Sequence, residues 1–106
     1  MNQQVQRELD LIKESVLQTV PAEAIYLFGS YAYGTQNEDS DLDIYVVVPD
    51  NTADLIECKA NIRMSLWGKK TKSMDLLMGR SSVFNRRAQG PTLERAIARD
   101  GVRLYG

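Results

Sequence analysis

The stretch Asp41-Leu42-Asp43-Ile44-Tyr45-Val46-Val47-Val48 limits the possible folds of this chain more than any other. Its β-branched run makes Leu42–Val48 a strand. Side chains two apart on a strand share a face, so Asp41 and Asp43 point one way with Cα atoms roughly 7 Å apart. Ile44, Val46 and Val48 point the other way, toward a core. One strand therefore needs an apolar layer beneath it and an open polar corner above it.

The rest of the chain supplies those layers. Val5, Leu9, Ile12, Val16 and Val20 recur at helical spacing, which predicts an amphipathic helix over 3–19, stopped by Pro21. Ile25–Phe28 is a short buried strand ended by Gly29. Residues 30–34 suit one helical turn, and Thr35–Ser40 is a polar loop with Ser40 as a turn residue. Leu55, Cys58, Ile62 and Leu66 mark a helix over 53–67, closed by Gly68, with Cys58 and Trp67 expected on its buried face. A basic connection, Lys69–Lys72, leads to a third strand over Ser73–Met78, ended by Gly79. A short helix is expected over Ser81–Ala88. Pro91 fits as the first residue of a last helix running to about Arg99, and Val102–Leu104 as a small terminal strand. This order predicts an α/β (α+β) fold, a small mixed sheet of three to four strands flanked by helices, as one domain over 1–106.

Composition narrows the chemistry. With 43% apolar and 25% charged residues, the chain reads as an ordinary globular protein. Its net charge of -1 offers no basic field, so no long nucleic acid is expected as partner. There is no histidine, which removes Ser–His and Cys–His catalysis and zinc–histidine sites. Cys58 is the only cysteine, so an internal disulfide is excluded and a reducing, cytoplasmic setting is expected. The polar start MNQQVQRELD lacks a signal-peptide core, and the apolar runs are too short for a bilayer, so no membrane is expected either.

Acid–base work then falls to carboxylates, Lys or Tyr. Asp41 and Asp43 repel each other at such close range and are costly without a cation. Mg²⁺ takes carboxylate oxygens at about 2.1 Å, and two ions about 4 Å apart bridge such a pair. Met74, Leu76 and Met78 alternate with Asp75, so a third strand turns one carboxylate away from its core face. If it pairs beside Leu42–Val48, Asp75 joins the other two acids; otherwise it is an exposed acid on an edge strand. Gly29-Ser30 follows a strand and opens a helical turn, a geometry that presents N–H groups and a hydroxyl to a phosphate. Ser30 also suits a helix N-cap. A P-loop is excluded because Thr35-Gln36 stands where Lys-Ser/Thr is required, and an EF-hand because Ile44 occupies its glycine position.

Gly29-Ser30, ten residues, then Asp41-x-Asp43 resembles the signature of the DNA polymerase β-like nucleotidyltransferase superfamily, and Asp75 fits that family's later strand acid. The loop FGSYAYG, the segment SDLDIYVVV and the ending DGVRLYG are most similar to the minimal nucleotidyltransferase antitoxins paired with HEPN proteins. The resemblance implies the nucleotidyltransferase fold, with ATP as donor of AMP and pyrophosphate as leaving group. It implies two Mg²⁺ ions held by Asp41 and Asp43, with Asp75 on the ion that activates the acceptor hydroxyl, and Gly29 and Ser30 on the β,γ-phosphates. It further implies a HEPN-type protein partner whose tyrosine is the acceptor, an expectation that agrees with the lack of an acceptor-binding domain in the chain. One position departs: those antitoxins often have Arg where Tyr33 stands, and a tyrosine cannot neutralise a phosphate. Either Lys69, Lys70 or Lys72 substitutes, or nucleotide affinity is reduced. Two other readings remain open: a non-catalytic antitoxin that neutralises its partner by covering it, and a small-molecule adenylyltransferase.

Overall fold

Asn2 opens the first helix by accepting a 2.8 Å hydrogen bond from the Val5 amide, which satisfies one of the free donors at the helix start. A computed structural model describes residues 2–106. Helix α1 (Gln3–Thr19) buries Val5, Leu9, Ile12 and Val16, the stripe its spacing predicts. Strand β1 (Ala24–Phe28) follows, then the single turn α2 (Ser30–Tyr33), β2 (Leu42–Val48), α3 (Leu55–Leu66), β3 (Met74–Arg80), α4 (Ser81–Arg87), α5 (Leu93–Asp100) and β4 (Val102–Tyr105). The strands form one mixed sheet in the order β3-β2-β1-β4. β1 runs antiparallel to β2 and β4, while β2 and β3 are parallel, joined by α3 as a parallel connection requires.

The sheet is covered on both faces. Leu27 and its register partner Ile44, with Ile25, Val46 and Val48, face α1 and α3 and are fully buried. Tyr26, Phe28, Tyr45 and Val47 face the other way, against Phe84 of α4 and Ile97 of α5. All five residues of β1 are buried, as expected for an inner strand flanked by helices on each side. The second apolar layer stops short of the N-terminal ends of β2 and β3, and the acids lie at those ends.

Several boundaries differ from the sequence expectation. Gly79 does not end β3, which continues to Arg80; a Cβ at Gly79 would press on the Tyr45 ring, 3.2 Å from Cζ, so the glycine makes room for that tyrosine. Pro91 precedes α5 rather than starting it. Thr92 is the cap, its hydroxyl accepting from the Arg95 amide at 3.2 Å. Asp54 caps α3 by accepting from the Ile56 and Glu57 amides, which moves that helix start to Leu55. Trp67 is not on a buried face: it follows the last turn of α3 and is 87% exposed. Cys58 is half-buried and packs against the core.

Candidate active site

The corner is assembled from the C-terminal end of β1 and the N-terminal ends of β2 and β3. Phe28 pairs with Asp43, so Gly29 and the α2 turn begin directly beside that aspartate. Gly29 has φ +73°, and a Cβ there would collide with the Asp43 carboxylate, 2.9 Å from its Cγ. Glycine is therefore required twice, by the backbone conformation and by the carboxylate packed on it. Gly29, not Ser30, occupies the N-cap position of α2 and makes no side-chain capping bond, so the Ser30 hydroxyl is not spent on a cap.

β2 and β3 pair in parallel with Asp43 opposite Asp75. Register partners share a sheet face, so the two carboxylates stand side by side. Asp41 lies one residue before β2, exposed, and its charge reaches Asp43. Burial, then the charges of Asp75 and Asp41, raises the Asp43 carboxyl above its ordinary range. Among the described residues the side-chain ion pairs are Arg87–Glu94 and Arg99–Asp100, and neither engages these acids.

Such a corner suits a hard divalent cation, since its donors are all oxygens. Among the described residues, no three acidic, cysteine or histidine side chains close tightly enough to cage an ion. Magnesium is commonly held by one or two carboxylates, with substrate phosphates and water completing its shell, so the Asp43–Asp75 pair fits that ion.

The basic connection approaches this corner through Lys70, whose charge interacts with Asp41. Lys72 stacks its ammonium over the Tyr31 ring, 5.4 Å from the centroid, and a hydrogen bond to Tyr31 raises its pKa. Lys70 is held below its usual pKa by burial and by Arg63, against the opposing pull of Glu8 and Asp41. Tyr31 is buried, whereas Tyr33 is 48% exposed. Ser40 acts as a turn residue, its hydroxyl accepting from the Asn37 amide at 2.9 Å.

Two supports were missed in the sequence. Glu8 of α1 is 4% exposed and accepts from the Thr71 and Lys72 amides, each at 2.7 Å, which fixes the connection that leads into β3. Its signal was legible, because an acid at position 8 falls on the apolar stripe with Val5 and Ile12. The second is Glu94, which accepts from the Tyr45 hydroxyl at 3.3 Å and from Arg87 at 2.9 Å. Burial, then the charge and hydrogen bond of Glu94, pushes Tyr45 up to about 12. Burial opposes ionisation of Glu94, but the Arg87 hydrogen bond and its partners outweigh it and leave its pKa lowered. This cluster clamps α4 and α5 onto the sheet face that carries Asp43, and only its three-dimensional contacts identify it.

The family model described as "Nucleotidyltransferase domain" matches residues 9–88. No curated protein matches the chain significantly. Among solved structures, the chain is similar to a candidate nucleotidyltransferase from Sulfolobus solfataricus at 23% identity and TM-score 0.62, covering 94% of this chain and 81% of that one. It is similar to a mutant of the toxin–antitoxin MntA-HpeT at 27% identity and TM-score 0.64, covering 92% and 73%. It is also similar to a toxin–antitoxin solved with AMP-PNP, at 23% identity and TM-score 0.56, with the same coverages. The four-stranded mixed sheet with flanking helices is the fold these structures share. Because the family model spans well over half of its residues and includes the Gly29-Ser30 turn and all three acids, the chain belongs to the nucleotidyltransferase domain family.

Proposed function

We propose that this chain transfers AMP from ATP to a hydroxyl of a HEPN-type protein partner, a tyrosine, and so serves as the antitoxin of a toxin–antitoxin pair. The observation that supports it most is the side-by-side placement of Asp43 and Asp75 next to the Gly29-Ser30 turn. Asp41 and Asp43 would hold two Mg²⁺ ions and Asp75 one of them; bound, these ions would neutralise the phosphates and lower the acceptor's pKa. Gly29 and Ser30 would bind the β,γ-phosphates. The acceptor oxygen would form a bond to the α-phosphorus, the bond from that phosphorus to the bridging oxygen would break, and pyrophosphate would leave. Asp75 would take the acceptor's proton. Similarity to two toxin–antitoxin structures supports this reading. One was solved with AMP-PNP, and the other carries two Asp-to-Glu replacements two positions apart, the spacing of Asp41 and Asp43.

Tyr33 favours a second reading. It is exposed where the antitoxins that this sequence resembles often carry arginine, so a chain that neutralises its partner only by covering it is the competing function. One experiment separates the two. A small fraction of this protein is mixed with an excess of the neighbouring gene's product, tested as the partner, plus Mg²⁺ and radiolabelled ATP. Catalysis labels the partner, raises its mass by nucleotide units, and keeps it inactive after this protein is removed. Full neutralisation by Asp43→Asn at one-to-one, with no added mass in either sample, leaves only the covering function.

A further inference from the structure

Helix α3 is apolar on two sides. Ile62 and Leu66 fill the core from its inner stripe. Its outer stripe is Ile56, Ala60 and Met64, spaced i, i+4 and i+8, which helical geometry places on one face, and Trp67, just past the last turn, lines a surface hollow with Met64 and Arg63. Ile56 is 77%, Met64 74% and Trp67 87% exposed. A helix face lined by large apolar side chains is normally covered, and this one is open to solvent. Tryptophan and methionine gathered around one hollow, with a cation beside them, is the composition of an interface centre rather than of open surface.

The stripe reaches the edge of the sheet at β3, on the face opposite the one that carries Asp43 and Asp75. Arg63, on its flank, donates from a terminal nitrogen to the Met74 carbonyl at 3.5 Å, tying the stripe to the free edge of β3 one residue before Asp75. A groove of about 500 Å³ runs between them, lined by Trp67, Arg63, Lys70 and Met74 among others. Lys70 lies close enough to Asp41 for the two charges to interact. The rim is thus cationic on the side that leads to the acids. A second copy of this chain is the poorer occupant, because it would bring the same cations, and like charges facing each other across an interface cost affinity.

We infer that the outer face of α3 and the free edge of β3 form the docking surface for the acceptor protein, and that the docked segment is an apolar stretch flanked by acidic side chains. This inference rests on the proposed transfer to a protein. Trp67 is the anchor, Arg63 and Lys70 meet the acidic flanks, and a partner seated there lies beside the strand that carries Asp75.

Calorimetric titration of the neighbouring gene's product with wild type, Trp67→Ala and Arg63→Glu tests it. The Kd is expected to rise at least about tenfold for each variant. The thermal shift caused by Mg²⁺-ATP should stay at the wild-type value, because both side chains belong to α3, which packs on the sheet face opposite the one that carries Asp43 and Asp75. Equal partner affinity in all three proteins overturns the inference, as does absence of binding by wild type. A homodimer that Trp67→Ala dissociates, with partner affinity unchanged, assigns the stripe to a second copy and overturns it as well. Binding that depends on Trp67 and Arg63 but yields no label on the partner upholds the docking surface and removes only the transfer reading.

Discussion

Asp43 on β2 and Asp75 on β3 are register partners in a parallel pair, so two carboxylates distant in sequence stand next to each other on one face of the sheet. With Asp41 just before β2, they form a corner of like charge next to a glycine turn. An arrangement of this kind weakens the protein alone and becomes favourable only with a cation or a ligand that brings one.

Asp43→Asn should therefore separate stability from activity. Under the proposed function, transfer should fall by at least about a hundredfold, because Asp43 is one of the residues proposed to hold the ions. The fold should gain stability at pH 7, a Tm rise on the order of 2 °C. The folded-state pKa of Asp43 is raised, so the native protein binds the proton more tightly than the unfolded chain. Its cost to stability is thus present at neutral pH and is relieved as pH falls through the raised value. Thermal melts of both proteins should differ at pH 7 and converge on acidification; a variant less stable than wild type at pH 7 contradicts this account.

Gly29→Ala should be harmful out of proportion to one methyl group. The added Cβ meets both a positive φ and the Asp43 carboxylate. A loss of about 1–3 kcal/mol is expected in urea unfolding, together with loss of the Mg²⁺-ATP thermal shift. The same substitution at Gly34, which has nothing within 4 Å of its Cβ position, meets only the conformational cost and should be milder.

Glu8→Ala should loosen a segment far away in sequence. The Thr71 and Lys72 amides lose a shared acceptor, at a cost of about 1–3 kcal/mol. Hydrogen exchange at these two amides should accelerate before exchange in β1 changes. Unaltered protection at both would show that the connection is held by something else.

Tyr45→Phe should cost about 1 kcal/mol by removing the bond to Glu94. It should also change the alkaline limb of stability. Tyr45 is raised from 10.0 to about 12, so native protein holds this proton longer than the unfolded chain, and wild type loses stability as pH rises across that interval. The decline should be shallower in Tyr45→Phe, measured by unfolding between pH 9 and pH 12 on the scale of the tyrosine pKa shift.

Periodicity alone made the elements legible. The spacing of Val5, Leu9, Ile12 and Val16 specified α1, and the β-branched run specified β2, because each pattern suits one backbone period. Gly29-Ser30 and Asp41-x-Asp43 were legible as a candidate site because they are local: a turn and a strand start, separated by one loop. The partner of Asp43 was not local. Any slip of β3 by one residue would have turned Asp75 to the other face, and the register depends on how Leu76 and its neighbours pack under the sheet. Glu8 and Glu94 gain their roles only from groups distant in sequence, which hydrogen-bond them after the chain has folded. Trp67 shows the same limit from the other side. Its hydrophobicity suggested burial, but α3 has one inner face, and Ile62 and Leu66 already fill it. Local sequence thus determined which segments form and which residues carry charge, since those depend on neighbours in the chain. Only tertiary packing decided which charges meet and which apolar side chains remain exposed, since those depend on how the strands align and which helix face they cover.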